Sequence, residues 1–249
     1  MKRLSFQYIF NNIAISAILL SYGTASAQDA SPVVSFNHIE QTDKTTEFVE
    51  LKPGESKTTQ APLEITLTAN VDTKGGEYTY IPEWRIYRSD EGESKPVVTR
   101  FVDDSNYTLT KSGGYGIKLY VTFVRSEDND TIEYESEPIE IVISESTLTV
   151  PDGFSPNNDD INDVLHISYQ SIVKLSGGIW NRWGKKLHEF NLGNIDEGWD
   201  GKVGGEYVPD GGYILNIDAT GSDGLHYKIR KVINVLKGFK TSEETTGGN

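Results

Sequence analysis

Beyond Gln28, apolar residues recur at every second position over short runs. Leu63, Ile65 and Leu67 alternate with polar or small neighbours, as do Ile117, Leu119, Val121 and Phe123, and then Ile139, Ile141 and Ile143. Successive side chains of a strand point to opposite faces, so a period of two over such lengths predicts half-buried strands of antiparallel sheets. Helical spacing is hard to find. Turn-forming runs punctuate the strands at Lys52-Pro53-Gly54, Lys74-Gly75-Gly76, Ser89-Asp90-Glu91-Gly92, Ser112-Gly113-Gly114 and Glu127-Asp128-Asn129-Asp130. Gly, Asn, Asp and Pro supply the backbone angles that a chain reversal needs.

This spacing predicts a β-sandwich of about a hundred residues. Trp84 is placed as its core tryptophan, and Tyr115 opens the strand Tyr115–Val124 where immunoglobulin-like domains often put a tyrosine. The polar segment Ser144–Thr149, running into Val150-Pro151, marks a boundary, and its brevity predicts a close junction rather than a flexible tether. The expected class is all-β, with two β-sandwich domains in series: an immunoglobulin-like one over 28–146 and a smaller one over 150–236. Residues 237–249 carry no apolar side chain past Phe239 and are expected to be a disordered polar tail.

The first 27 residues read differently. Lys2 and Arg3 precede the apolar run Ile13–Leu20, and Ala25-Ser26-Ala27 is a small-x-small cleavage pattern, so a cleaved signal peptide is expected. A run of eight residues, seven of them apolar, is too short to span a hydrocarbon core of roughly 30 Å. Direct membrane insertion is therefore not expected of the mature chain. The formal charge of −14, from 37 Asp and Glu against 23 Lys and Arg, argues against nucleic-acid partners, which require clustered positive charge. The chain has no cysteine, which removes disulfides, thiolate metal sites, thiol nucleophiles and a lipidated cysteine anchor. No nucleophile elbow, phosphate-binding glycine loop or zinc-protease histidine pair is present, so no enzyme activity is expected.

The second half concentrates the motifs. In order stand Val150-Pro151-Asp152-Gly153-Phe154-Ser155-Pro156, the run Asn157–Asp163, Asn181-Arg182-Trp183-Gly184, Trp199-Asp200-Gly201-Lys202, and Val208-Pro209-Asp210-Gly211-Gly212-Tyr213 before a last hairpin closing on Tyr227–Leu236. This succession resembles the gliding-motility-associated C-terminal domain, the type B sorting domain of the type IX secretion system, over about residues 150–236. The resemblance implies a small seven-stranded sandwich and export across the outer membrane. It also implies retention through a PorP-like outer-membrane β-barrel protein and other type IX secretion components.

Within Asn157–Asp163 every residue but Ile161 is Asn or Asp. The plain reading is a loop whose side chains cap its own backbone N–H groups. The alternative is a calcium loop with Asn158, Asp160 and Asn162 as alternating oxygen ligands, calcium being the one cofactor considered. Members of the resembled family carry glycine where this chain has Asn158 and Asp160, and Asn and Asp tolerate positive φ best among other residues. Asn181, Arg182, Trp183 and Gly184 form an expected hairpin turn, and Trp199, Asp200 and Gly201 another. Both are candidate partner-binding surfaces, because aromatic and guanidinium groups are favoured interface anchors.

The expected function is thus a non-catalytic exported adaptor, at the cell surface or associated with the outer membrane, docked through its C-terminal domain. The alternative function is a surface adhesin or glycan-binding protein using Tyr78, Tyr80 and Trp84. The alternative location is the periplasm, which follows if the residues beyond Lys237 keep the export machinery from reading the terminal strand.

Overall fold

A computed structural model of the chain describes residues 29–39, 45–73, 75–128 and 130–238. The expected signal peptide, and the expected tail beyond Gly238, lie outside the described residues. No helix occurs among the described residues, and the two-residue alternation has become two β-sandwich units, each around its own core.

In the N-terminal unit one sheet runs, edge to edge, Ser56–Thr59, Ile139–Ile143, Gly113–Arg125, Tyr78–Arg88 and Pro96–Arg100, with Thr131–Glu135 also pairing on Gly113–Arg125. The facing sheet runs Thr46–Leu51, Val33–Ile39, Leu63–Thr68 and Asp104–Leu109. All these pairings are antiparallel except that of Ser56–Thr59 with Ile139–Ile143, which is parallel. The alternating residues named above all point inward: Leu63, Ile65, Leu67, Ile117, Leu119, Val121, Phe123, Ile139, Ile141 and Ile143 are buried together. Trp84 lies at the centre, fully buried, and its indole N–H donates to the Asp103 carbonyl at 3.2 Å. A buried tryptophan keeps its polar edge satisfied in this way. The expected immunoglobulin-like sandwich is present, and its long strand begins at Gly113, two residues before Tyr115.

Tyr115 donates its hydroxyl to the carbonyl of Lys111, four residues back, at 3.0 Å. This is the tyrosine corner of immunoglobulin-like sandwiches, which pins a loop to the strand it feeds. The C-terminal unit repeats the device. Gly211-Gly212-Tyr213 opens the strand Gly211–Gly221 as Gly113-Gly114-Tyr115 opens Gly113–Arg125, and the Tyr213 hydroxyl donates to the Pro209 carbonyl at 2.7 Å.

The C-terminal sheet runs Gly153–Phe154, His226–Val235, Gly211–Gly221, Ile172–Trp180 and Lys186–Asn191. Thr147–Thr149 pairs with Ser168–Gln170 as a separate ribbon. The sheet and the ribbon together hold seven strands, one of which, Thr147–Thr149, lies before the expected boundary at 150. A further two-residue ladder joins Lys202–Val203 to Glu206–Tyr207. Ile179, Phe190, Ile195, Trp199, Leu215, Ile217, Ile233 and Val235 form the core.

Serines join the two units. The Ser112 N–H donates to the Ser222 carbonyl at 3.1 Å, and the Ser222 hydroxyl donates to the Ser144 carbonyl at 3.1 Å. Buried Ser171, held at φ 49°, accepts from the Ala61 N–H at 3.2 Å, while its carbonyl accepts from the Ser222 N–H at 2.8 Å. Asp223 then takes the Ser146 hydroxyl at 2.7 Å and the Ser146 N–H at 3.1 Å. Short hydroxyl side chains reach only when backbones approach closely, so the junction is tight, as the short polar segment predicts.

Candidate functional site: the Arg182–Trp183 hairpin and its groove

Strands Ile172–Trp180 and Lys186–Asn191 slip register at Ile179/Trp180, and the chain then reverses over Asn181–Lys185. One side chain organises the reversal: Asn181 Oδ1 accepts from the N–H groups of Trp183 and Lys185, each at 3.0 Å. The Gly184 N–H donates to the Asn181 carbonyl at 3.0 Å, and Gly184 adopts φ +82°. A Cβ at Gly184 would meet nothing within 4 Å, so its requirement is conformational rather than steric.

Because Asn181 satisfies the tip from within, Arg182 and Trp183 turn outward. Trp183 is 75% exposed, with the Arg182 guanidinium 4.3 Å above its ring. Stacking on an indole is a favoured guanidinium arrangement that leaves the N–H edge free. Beneath the pair lies a groove of about 430 Å³, whose floor and far wall include Leu187, Val203, Val208, Pro209 and Tyr213. That size falls among clefts that take small ligands or a few side chains. The tyrosine corner holds the far wall, and Trp199 backs it, packing edge-on to Tyr213 at 5.9 Å between ring centroids.

Trp199 therefore has a different role from the one expected. It is 1% exposed, tilted against Phe154 at 5.5 Å, with its N–H donating to the Lys202 carbonyl at 3.1 Å. Leu165 and Trp199 exchange backbone hydrogen bonds of 2.9 and 3.2 Å, which draws the indole inward. Gly201 is buried as well, and a Cβ there would crowd Pro156 at 3.1 Å. Of that turn only Asp200 is exposed, and its carboxylate accepts from the Lys202 N–H at 3.0 Å. A partner cannot reach the buried Trp199 or Gly201, so the expected contact surface contracts to the Asn181–Gly184 hairpin and the exposed Asp200.

The Asn157–Asp163 loop is organised by Asp163, which stood outside the expected ligand set. Its carboxylate accepts from the N–H groups of Asn157, Asn158 and Asp160 at 2.8, 2.7 and 2.9 Å. Partial desolvation pushes the Asp163 carboxyl up, but these backbone donors outweigh it and hold the group below the usual carboxylate range. Asn158, Asp160 and Asn162 occupy the left-handed region at φ 61°, 63° and 55°, as the substitution of Asn and Asp for glycine predicts at the first two. Asn158 Oδ1 accepts from the Tyr207 hydroxyl at 3.0 Å. Among the described residues no three His, Cys, Asp or Glu side chains are grouped to hold a metal. The loop thus has the self-capping arrangement of the plain reading, with Asp163 holding three of its backbone N–H groups.

His188 sits behind the hairpin, edge-on to Phe190 with centroids 4.6 Å apart, and its buried Nε2 has no hydrogen-bond partner among the described residues. Burial pushes its pKa down, against the opposing fields of Asp200 and Glu197. In the N-terminal unit two of the three proposed sugar-stacking aromatics turn inward. Tyr78 and Trp84 are buried, and Tyr80 packs against Phe123 with its hydroxyl bonded to Asp103 at 3.0 Å. Of the three only Tyr80, half-buried, keeps part of its ring at the surface.

Comparison with known proteins now bears on this geometry. Residues 148–232 match the CHU_C Type IX secretion signal domain, which places the hairpin and its groove inside that domain. The match covers the C-terminal unit and not the immunoglobulin-like one. No curated protein matches the chain. Among solved structures, the crystal structure of dimeric latent PorU from Porphyromonas gingivalis is similar over 83% of this chain at 13% identity, with a TM-score of 0.25. The chain spans 20% of the length of that protein, and a likeness of this degree defines neither fold nor function.

Proposed function

We propose that the protein is a non-catalytic exported adaptor, carried to the cell surface by its type IX secretion signal domain and held there through a protein partner. The observation that carries this reading is the exposed Arg182–Trp183 pair over an apolar groove, inside the matched domain. An isolated tryptophan exposed to this degree costs solubility and adds little to the fold, whereas Trp and Arg are the residues most enriched at interface hot spots. Among the described residues no helix is long and apolar enough to cross a membrane. In this reading attachment comes through protein contacts with an outer-membrane β-barrel of the PorP-like kind, while the immunoglobulin-like sandwich is displayed.

Protease shaving of intact cells tests the proposal, comparing the full chain with a Trp183→Ala variant and a chain truncated before Thr147. Surface-exposed, cell-retained protein is expected for the full chain. The Trp183→Ala variant should be released to the medium. Equal retention of all three proteins would sink the docking role.

A further inference from the structure

The groove carries a charge pattern that narrows what enters it. The chain is strongly acidic, at −14, yet the hairpin rim presents Arg182 and Lys185 with no carboxylate within ion-pair distance among the described residues. The neighbouring Lys186 is already engaged by Glu189 at 2.8 Å. On the opposite rim Asp210 is engaged by Lys237, through its N–H at 3.3 Å and its ammonium at 3.8 Å. The acid of the groove is thus satisfied and two of its bases are not. Between them lies the apolar floor of Leu187, Val208 and Tyr213.

We infer that the groove binds an extended peptide segment bearing a carboxylate next to an apolar side chain, presented by the partner protein. This deepens the docking reading and rests on it. The apolar side chain fills the cleft between Leu187, Val208 and Tyr213. The carboxylate meets the free N–H edge of the Arg182 guanidinium, which stacking on Trp183 holds in plane. Arginine is suited to this contact because its fork matches a carboxylate with two parallel hydrogen bonds. An extended strand suits the site better than a helix, since the cleft is short and its walls are a hairpin tip and a glycine-led strand start.

The test is a titration of the isotope-labelled full chain, followed by the indole N–H resonance of Trp183. The probes are a blocked tetrapeptide alternating aspartate with leucine and phenylalanine, and its asparagine counterpart. The acidic peptide is expected to shift Trp183 and the backbone of Val208–Tyr213 saturably. The asparagine peptide should bind about five-fold more weakly, as the loss of a charge-assisted contact implies. Arg182→Gln should weaken the acidic peptide by a similar factor and the asparagine peptide by less. The inference falls if both peptides bind alike, if the shifts lie elsewhere, or if neither shifts these residues. It also falls if the same resonances move on concentrating the chain alone, which would make a second copy the occupant. Loss of cell-surface retention in Trp183→Ala, alongside peptide failure, would preserve the docking role while removing this partner chemistry.

Discussion

Two tryptophans of neighbouring motifs should answer alanine in opposite ways. Trp199 is 1% exposed, so truncation removes nearly all of about 200 Å² of apolar surface from the core, about 5 kcal/mol at 25 cal/mol per Å². It also orphans the Lys202 carbonyl and takes the backing from Tyr213. Small domains are stable by about 5–15 kcal/mol, so Trp199→Ala should leave the C-terminal unit marginal or unfolded. Trp183 is 75% exposed, and truncating it forfeits only about a quarter of that surface, about 1 kcal/mol. Urea unfolding followed by circular dichroism separates the two, since each unit has its own core. Trp183→Ala should keep its midpoint within the spread expected of surface changes and lose surface retention. Trp199→Ala should shift or abolish the C-terminal transition. A Trp199→Ala protein destabilised by less than about 1 kcal/mol, or a Trp183→Ala protein destabilised by more than about 3 kcal/mol, would refute the division into core and contact roles.

The two tyrosine corners offer a matched pair: Tyr213→Phe leaves the Pro209 carbonyl without its donor and should cost about 1–2 kcal/mol, with Tyr115→Phe costing a similar amount, both read from thermal unfolding. Gly184→Ala places a Cβ in open space but in the left-handed region. It should lower stability by about 1–2 kcal/mol and weaken partner binding, whereas Gly184→Asn should largely restore both. His188 has a folded-state pKa pushed down by burial, so its stabilising contribution is complete above the ordinary histidine range near pH 6.5 and is lost as pH falls through the depressed folded value. His188→Phe should flatten the dependence of the melting temperature in that window; an unchanged slope would assign it to other groups. Asp223 is pushed up by partial burial but held below the carboxylate range overall by the Leu225 N–H and Ser146. Its support is present above about pH 4 and lost on further acidification. Asp223→Asn should therefore loosen the junction, read as faster amide exchange at Ser146.

The sequence shows its short-range grammar well. Alternation at Ile117–Phe123 and Ile139–Ile143 identifies both strand and buried face, because a period of two leaves one side apolar. Gly184 and the left-handed Asn158 and Asp160 are legible because few residues accept positive φ. What pairs across distance is not legible. Trp199 reads as a turn residue from its neighbours Asp200 and Gly201, and only its ladder with Leu165, far back in the chain, turns the indole inward. The far wall of the groove, Val208–Tyr213, reaches the Asn181–Gly184 hairpin only because Gly211–Gly221 pairs with Ile172–Trp180. A signal for both corners was available, since Gly-Gly-Tyr occurs twice and each copy follows a turn. Serines at 112, 144, 146, 171 and 222 show nothing along the chain, because a buried serine at a junction looks like a surface serine until its partner is known.

That serine junction fixes a direction. Hydroxyl and backbone groups bridge the units at about 3 Å, so a swing of one sandwich against the other would first have to break these contacts. With the C-terminal unit docked as proposed, the N-terminal sandwich would present its outer face at a set height and bearing, as a bracket does.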